Sequence, residues 1–111
     1  INEADGDVGE LYQDVQAFLV SRGDDVQEKV LRFYVAYKRI KNFACVEVKN
    51  QIKVIRLYLK VNPDEITLEE GFTRDARTFG HYGTGDLEVT ISCFDDLEKA
   101  KALIQMSYEA S

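Results

Sequence analysis

The sequence predicts an α+β domain: an antiparallel sheet of about five strands with an N-terminal and a C-terminal helix packed on it. Three observations carry this. Apolar residues recur at helical spacing near both ends of the 111-residue chain. The stretch between them alternates with the period of two that marks half-buried strands. Short polar breaks separate the strand-like runs, which implies antiparallel neighbours. With 45% hydrophobic residues the chain has ample material for one core, and its length is that of one domain.

Residues 1–7 are polar and read as a linker or frayed terminus, leaving 8–111 as the domain. The chain begins at Ile1 rather than at Met, which we read as the mark of a piece excised from a longer protein. Val8, Leu11, Tyr12, Val15, Phe18 and Leu19 form one face of a first helix. Asp7 and Glu10 have capping-box spacing, and Gly23 suits the stop. Leu31, Phe33, Val35 and Tyr37 then alternate with Arg32, Tyr34, Ala36 and Lys38, giving a strand whose first set faces the core. Lys41-Asn42 suits a turn, Phe43–Val48 a second strand, and Lys49-Asn50-Gln51 another turn. A third strand, Ile52–Val61, stops at Asn62-Pro63 because proline removes a ladder donor.

Thr67 and Glu70 have the spacing of a second capping box and predict a helical turn before Gly71. Arg77–Tyr82 reads as a short strand, the glycine-rich 83–86 as a tight connection, and Leu87, Val89 and Ile91 as one face of the last strand. Ser92 is the expected cap of the closing helix, with Asp95 and Asp96 near its positive end. Leu97, Ala100, Leu103, Ile104 and Tyr108 supply its apolar stripe.

Charge is unevenly distributed. The chain carries a net −6, yet residues 29–60 hold nine Lys and Arg against the single acid Glu47. That block is +8 and the remainder −14. By alternation, Arg32, Tyr34 and Lys38 of the first strand and Arg56, Tyr58 and Lys60 of the third face away from the core. Such interleaving of cations and aromatics fits contact with nucleic acid or an acidic protein surface. The competing reading is internal: the same cations balance acidic helices and loops.

A second candidate is a small-molecule pocket or enzyme site around His81, Tyr82, Asp86 and Tyr37, in which the only histidine would act as acid or base. A third is a homodimerising structural module. No catalytic residues are assigned, and the balance favours a non-catalytic module. Glu47-Val48-Lys49 has the acid-x-Lys half of a restriction-type nuclease motif, but the preceding strand lacks its first acid. Gly83-x-Gly85 lacks the third glycine of a dinucleotide fingerprint. The paired acids look like caps and solvated loops, so no metal and no cofactor are expected. Cys45 and Cys93 lack metal or redox spacing and suit a cytoplasmic protein, with a bridge between them left open. No apolar run approaches the roughly 20 residues of a membrane span.

Tyr34-Val35-Ala36-Tyr37-Lys38-Arg39, followed by Lys41-Asn42-Phe43 and a strand containing Val46, resembles a bacterial and archaeal family of domains of unknown function. The resemblance extends through Arg74-Asp75, the 80–86 stretch with Leu87-Glu88-Val89, and Asp96-Leu97-Glu98-Lys99-Ala100. Some members of that family are labelled "predicted transport protein", a label that gains nothing from this sequence. The resemblance implies an accessory, non-catalytic module that often follows a PD-(D/E)xK nuclease-like or restriction-related domain. An upstream nuclease-like domain in the same chain is therefore an expected partner.

Overall fold

A computed structural model describes residues 6–39, 42–77 and 85–110, with side chains from residue 9 onward in the first helix. Two helices pack on an antiparallel sheet of six strands. In chain order the elements are α1 (Gly6–Val20), β1 (Gln27–Val30), β2 (Val35–Lys38), β3 (Asn42–Lys49), β4 (Val54–Leu59), β5 (Thr73–Asp75), β6 (Leu87–Ile91) and α2 (Phe94–Glu109). The strand order is β1-β2-β3-β4-β6-β5. Successive strands are neighbours except where β6 inserts between β4 and β5.

Both helices lie on one face of the sheet. Leu11, Val15 and Leu19 of α1 and Leu97, Ala100 and Ile104 of α2 are buried against it. Two cross-strand rows receive them. One runs Val35–Val46–Leu57–Val89, the other Tyr37–Ala44–Leu59–Leu87. Each large aliphatic side chain so buried contributes on the order of 1.5–3 kcal/mol. Ser107 of α2 is the polar exception. Its hydroxyl donates to the Phe43 carbonyl and accepts from the Lys60 amide at 2.7 Å, tying the helix to the ends of β3 and β4.

The structure corrects several sequence expectations. The first predicted strand is in fact a hairpin: Leu31–Tyr34 form its tip, closed by the Leu31 amide on the Tyr34 carbonyl at 2.9 Å. Phe33, expected in the core, is 55% exposed, while Val35 and Tyr37 are buried as the alternation requires. The sixth strand is β1, whose residues are all exposed, so it shows no apolar alternation. The third predicted strand starts late because Asn50–Lys53 make the turn, with Lys53 at φ 56°.

No helical turn follows Thr67. Instead the Glu69 amide donates to the Thr73 hydroxyl at 2.7 Å, and Gly71 takes φ 81° in the turn that leads into β5. That strand ends at Asp75, before the predicted Arg77–Tyr82 strand, most of which lies outside the described residues. The cap of α2 is Cys93 rather than Ser92. Asp96 reaches back to accept from both the amide and the hydroxyl of Ser92, at 3.0 and 2.8 Å. Cys45 is buried, Cys93 exposed, and both are free thiols.

Candidate functional site

Directly opposed residues of neighbouring strands share a sheet face. Lys29, Ala36, Cys45, Tyr58, Glu88 and Arg74 form one such row across all six strands, on the face away from the helices. Glu47, Arg56 and Thr90 form the next row. Leu31 and Tyr34 pack half-buried on this face against Ala36, Cys45, Tyr58 and Ala76. Among the described residues no helix covers it.

The face sorts its charges by depth. Glu47 and Glu88 are only 5% and 4% exposed. Tyr58 donates to Glu88 at 3.1 Å, and Arg74 reaches the same oxygen at 3.1 Å. Lys49 lies 3.6 Å from Glu47. The cations meet solvent: Lys29, Lys38, Lys60 and Arg74 are exposed and Lys49 half-exposed. Arg56 is half-buried, and among the described residues its Nε is the one buried side-chain nitrogen or oxygen without a hydrogen-bond partner. Burial, then the charges of Glu47 and Glu88, pushes the Tyr58 phenol well above its ordinary range. It is therefore a neutral donor at any physiological pH.

The sequence-predicted binding residues distribute as follows. Tyr34, Lys38, Arg56, Tyr58 and Lys60 belong to this face or its margin, whereas Arg32 sits at the hairpin tip. Tyr58 is 3% exposed and committed to Glu88, so it offers no platform for a stacked base. The sequence reading missed Lys29, Lys49, Arg74 and the buried Glu88. Alternation in Leu87–Ile91 could have placed Glu88 on the outer face. Arg74 and Lys29 lie in strands of three and four residues that carry no apolar alternation.

The second candidate constellation is dispersed or undescribed. His81 and Tyr82 lie outside the described residues. Tyr37 sits on β2 and Asp86 beside the start of β6, with β3 and β4 between them, a separation of roughly 14 Å at ordinary strand spacing. Asp86 is exposed, and its backbone joins Leu59 and Ala76 by hydrogen bonds of 3.0 and 2.8 Å. The neighbouring Gly85 has φ 137°, and a Cβ there would lie 2.7 Å from the Tyr58 carbonyl carbon. That glycine admits the β4 backbone rather than a ligand.

Tyr37 belongs to a different arrangement on the helix side. Its hydroxyl lies 2.7 Å from that of Tyr12 on α1 and donates to Glu28 of β1 at 2.6 Å. Gln16 donates to the same Glu28 oxygen at 2.6 Å. Burial, followed by the Glu28 and Tyr12 hydrogen bonds, raises the Tyr37 phenol far above its usual range. This network borders a groove of about 880 Å³ between α1 and the β1–β2 hairpin.

A model of the DUF5655 family, a domain of unknown function, matches residues 1–111. The chain belongs to that family. An uncharacterized protein of Haemophilus influenzae (strain ATCC 51907 / DSM 11121 / KW20 / Rd) is 25% identical over 100 residues, which make up 90% of this chain and 32% of that protein. This DUF5655 chain thus spans about a third of the length of the relative it matches. No solved structure matches it. Among the described residues, no group of three or more His, Cys, Asp or Glu side chains could hold a metal ion, and no helix is long and apolar enough to cross a membrane.

Proposed function

We propose that this DUF5655 domain is a non-catalytic binding module of a longer, nuclease- or restriction-related protein, and that it engages an acidic protein surface through its helix-free sheet face. The observation that carries this is the depth sorting. Among the described residues of its paired rows, the acids Glu47 and Glu88 are buried and internally paired, so the solvent side of those rows is cationic within a chain of net −6. A cationic face of this kind steers an acidic partner and sets its register. An acidic protein suits it better than a single-stranded nucleic acid, because Tyr58 is buried and cannot stack. The sequence resemblance and the greater length of the Haemophilus protein support the larger context. Two unbridged cysteines suit a cytoplasmic setting.

The test is parallel titration of the domain with polyglutamate and a single-stranded oligonucleotide, at about 50 and 200 mM salt, the range over which electrostatic contacts weaken. Lys38→Glu with Lys60→Glu should abolish polyglutamate binding while the fold persists. Absence of polyglutamate binding at low salt, or wild-type affinity in the double variant, would refute the proposal. Tighter binding to the oligonucleotide would replace the acidic protein with nucleic acid.

A further inference from the structure

On the helix side, we infer that the groove between α1 and the β1–β2 hairpin binds a small organic ammonium compound with an apolar body. The site is independent of the helix-free face. Its volume, about 880 Å³, falls within the range of small-molecule sites. Val35, Val46 and Val48 line it from β2 and β3, and the hairpin adds Val30 and Phe33, which are 69% and 55% exposed. Large apolar side chains left this open beside a concave surface are what an apolar ligand would cover.

The polar end of the groove selects the charge. Tyr37 is fully buried, set by Tyr12, and donates to Glu28 Oε2; Gln16 donates to the same atom. Two donors from two elements fix the carboxylate in place, and among the described residues no donor engages its Oε1. A carboxylate held in this way is a preorganised acceptor that pays little entropy to receive an ammonium N–H. Glu10 also lines the groove, and among the described lining residues the one cation, Arg32, lies over the Phe33 ring at 5.0 Å. The described charged lining, Glu10 and Glu28 against Arg32, is therefore net negative, opposite in sign to the other face of the sheet. An ammonium would sit against Glu28 with its apolar body along Val30, Phe33 and Val48.

Phenethylammonium and phenylacetate are suitable probes, because they match in size and differ in charge. Titrated into the ¹⁵N-labelled domain, phenethylammonium should produce saturable amide shifts at Val30, Phe33, Val46 and Val48, and phenylacetate should not. Glu28→Gln keeps a carbonyl oxygen for Tyr37 and Gln16 and should weaken phenethylammonium about tenfold or more, the loss expected when a charged hydrogen bond is removed. Phe33→Ala, at an exposed tip outside that network, should weaken it while leaving the spectrum otherwise unchanged. No saturation at millimolar probe, equal binding of phenylacetate, or shifts confined to the helix-free face would overturn the inference. So would wild-type affinity in a folded Glu28→Gln. Should that variant disturb the fold, wild-type affinity in Phe33→Ala overturns it instead.

Discussion

The Tyr58 hydroxyl donates to Glu88 at 3.1 Å across the β4–β6 ladder, on a sheet face that no described helix covers. A carboxylate 4% exposed needs such donors, since burial without them costs far more than the bond returns. Arg74 supplies the second. Removing the hydroxyl by Tyr58→Phe should destabilise the domain by about 1–3 kcal/mol. Urea unfolding measures this as a lower midpoint at unchanged slope.

The tyrosines give a pH signature on the alkaline side. Burial is the leading cause that raises Tyr12, Tyr37 and Tyr58, whereas unfolded tyrosine ionises near about 10. Above that pH the folded state holds more protons than the unfolded chain. The stability contributed by these groups is therefore fully present below pH of about 10 and is lost as pH rises further. Absorbance near 295 nm should show these three phenols ionising only together with alkaline unfolding, monitored in parallel by circular dichroism.

An acid-side signature comes from Arg77, which joins Asp64 at 3.1 Å and Asp75 at 2.8 Å and so ties the Pro63–Glu65 turn to the end of β5. Its hydrogen bonds hold both carboxyls below their ordinary range. The sign is opposite to that of the tyrosines: the contribution is present above the ordinary carboxylate range and lost as pH falls through the folded values. In ¹³C spectra, Arg77→Gln should return the Asp64 and Asp75 titrations toward ordinary values and leave Asp25 low. That carboxyl is held down by Tyr108 first and Arg39 second.

Gly85 tests the packing of the segment that enters β6. Alanine there must adopt φ 137° with its Cβ 2.7 Å from a backbone carbon of Tyr58. The strained backbone alone costs about 1–3 kcal/mol. Gly71→Ala, also at positive φ but with nothing within 4 Å, should cost less. Thermal melting of the two variants checks the order.

Those elements whose burial follows a simple period were legible in the sequence. Of the α2 stripe, Leu97, Ala100, Ile104 and Tyr108 are buried and Leu103 is half-buried, while Leu87, Val89 and Ile91 of β6 are buried as their spacing requires. Alternation failed where a turn interrupts it: Leu31–Tyr34 continues the strand pattern in sequence but folds as a hairpin tip, which puts Phe33 in solvent. β1 escaped notice because Gln27-Glu28-Lys29-Val30 buries nothing, and its order comes from pairing with β2. The outer face was read correctly as the side carrying Arg56, Tyr58 and Lys60. Its depth was not, because Tyr58 is buried through partners distant in sequence. Glu88 is 30 residues away, and no local pattern announces that pairing.

The central claim is that the helix-free face receives an acidic protein surface. The most direct measurement is an amide shift map of the ¹⁵N-labelled domain during titration with polyglutamate at low salt. We expect shifts clustered at Lys29, Lys38, Lys49, Arg56 and Arg74 that fade as salt is raised. Shifts clustered on α1 and α2, or no shifts at low salt, would contradict it.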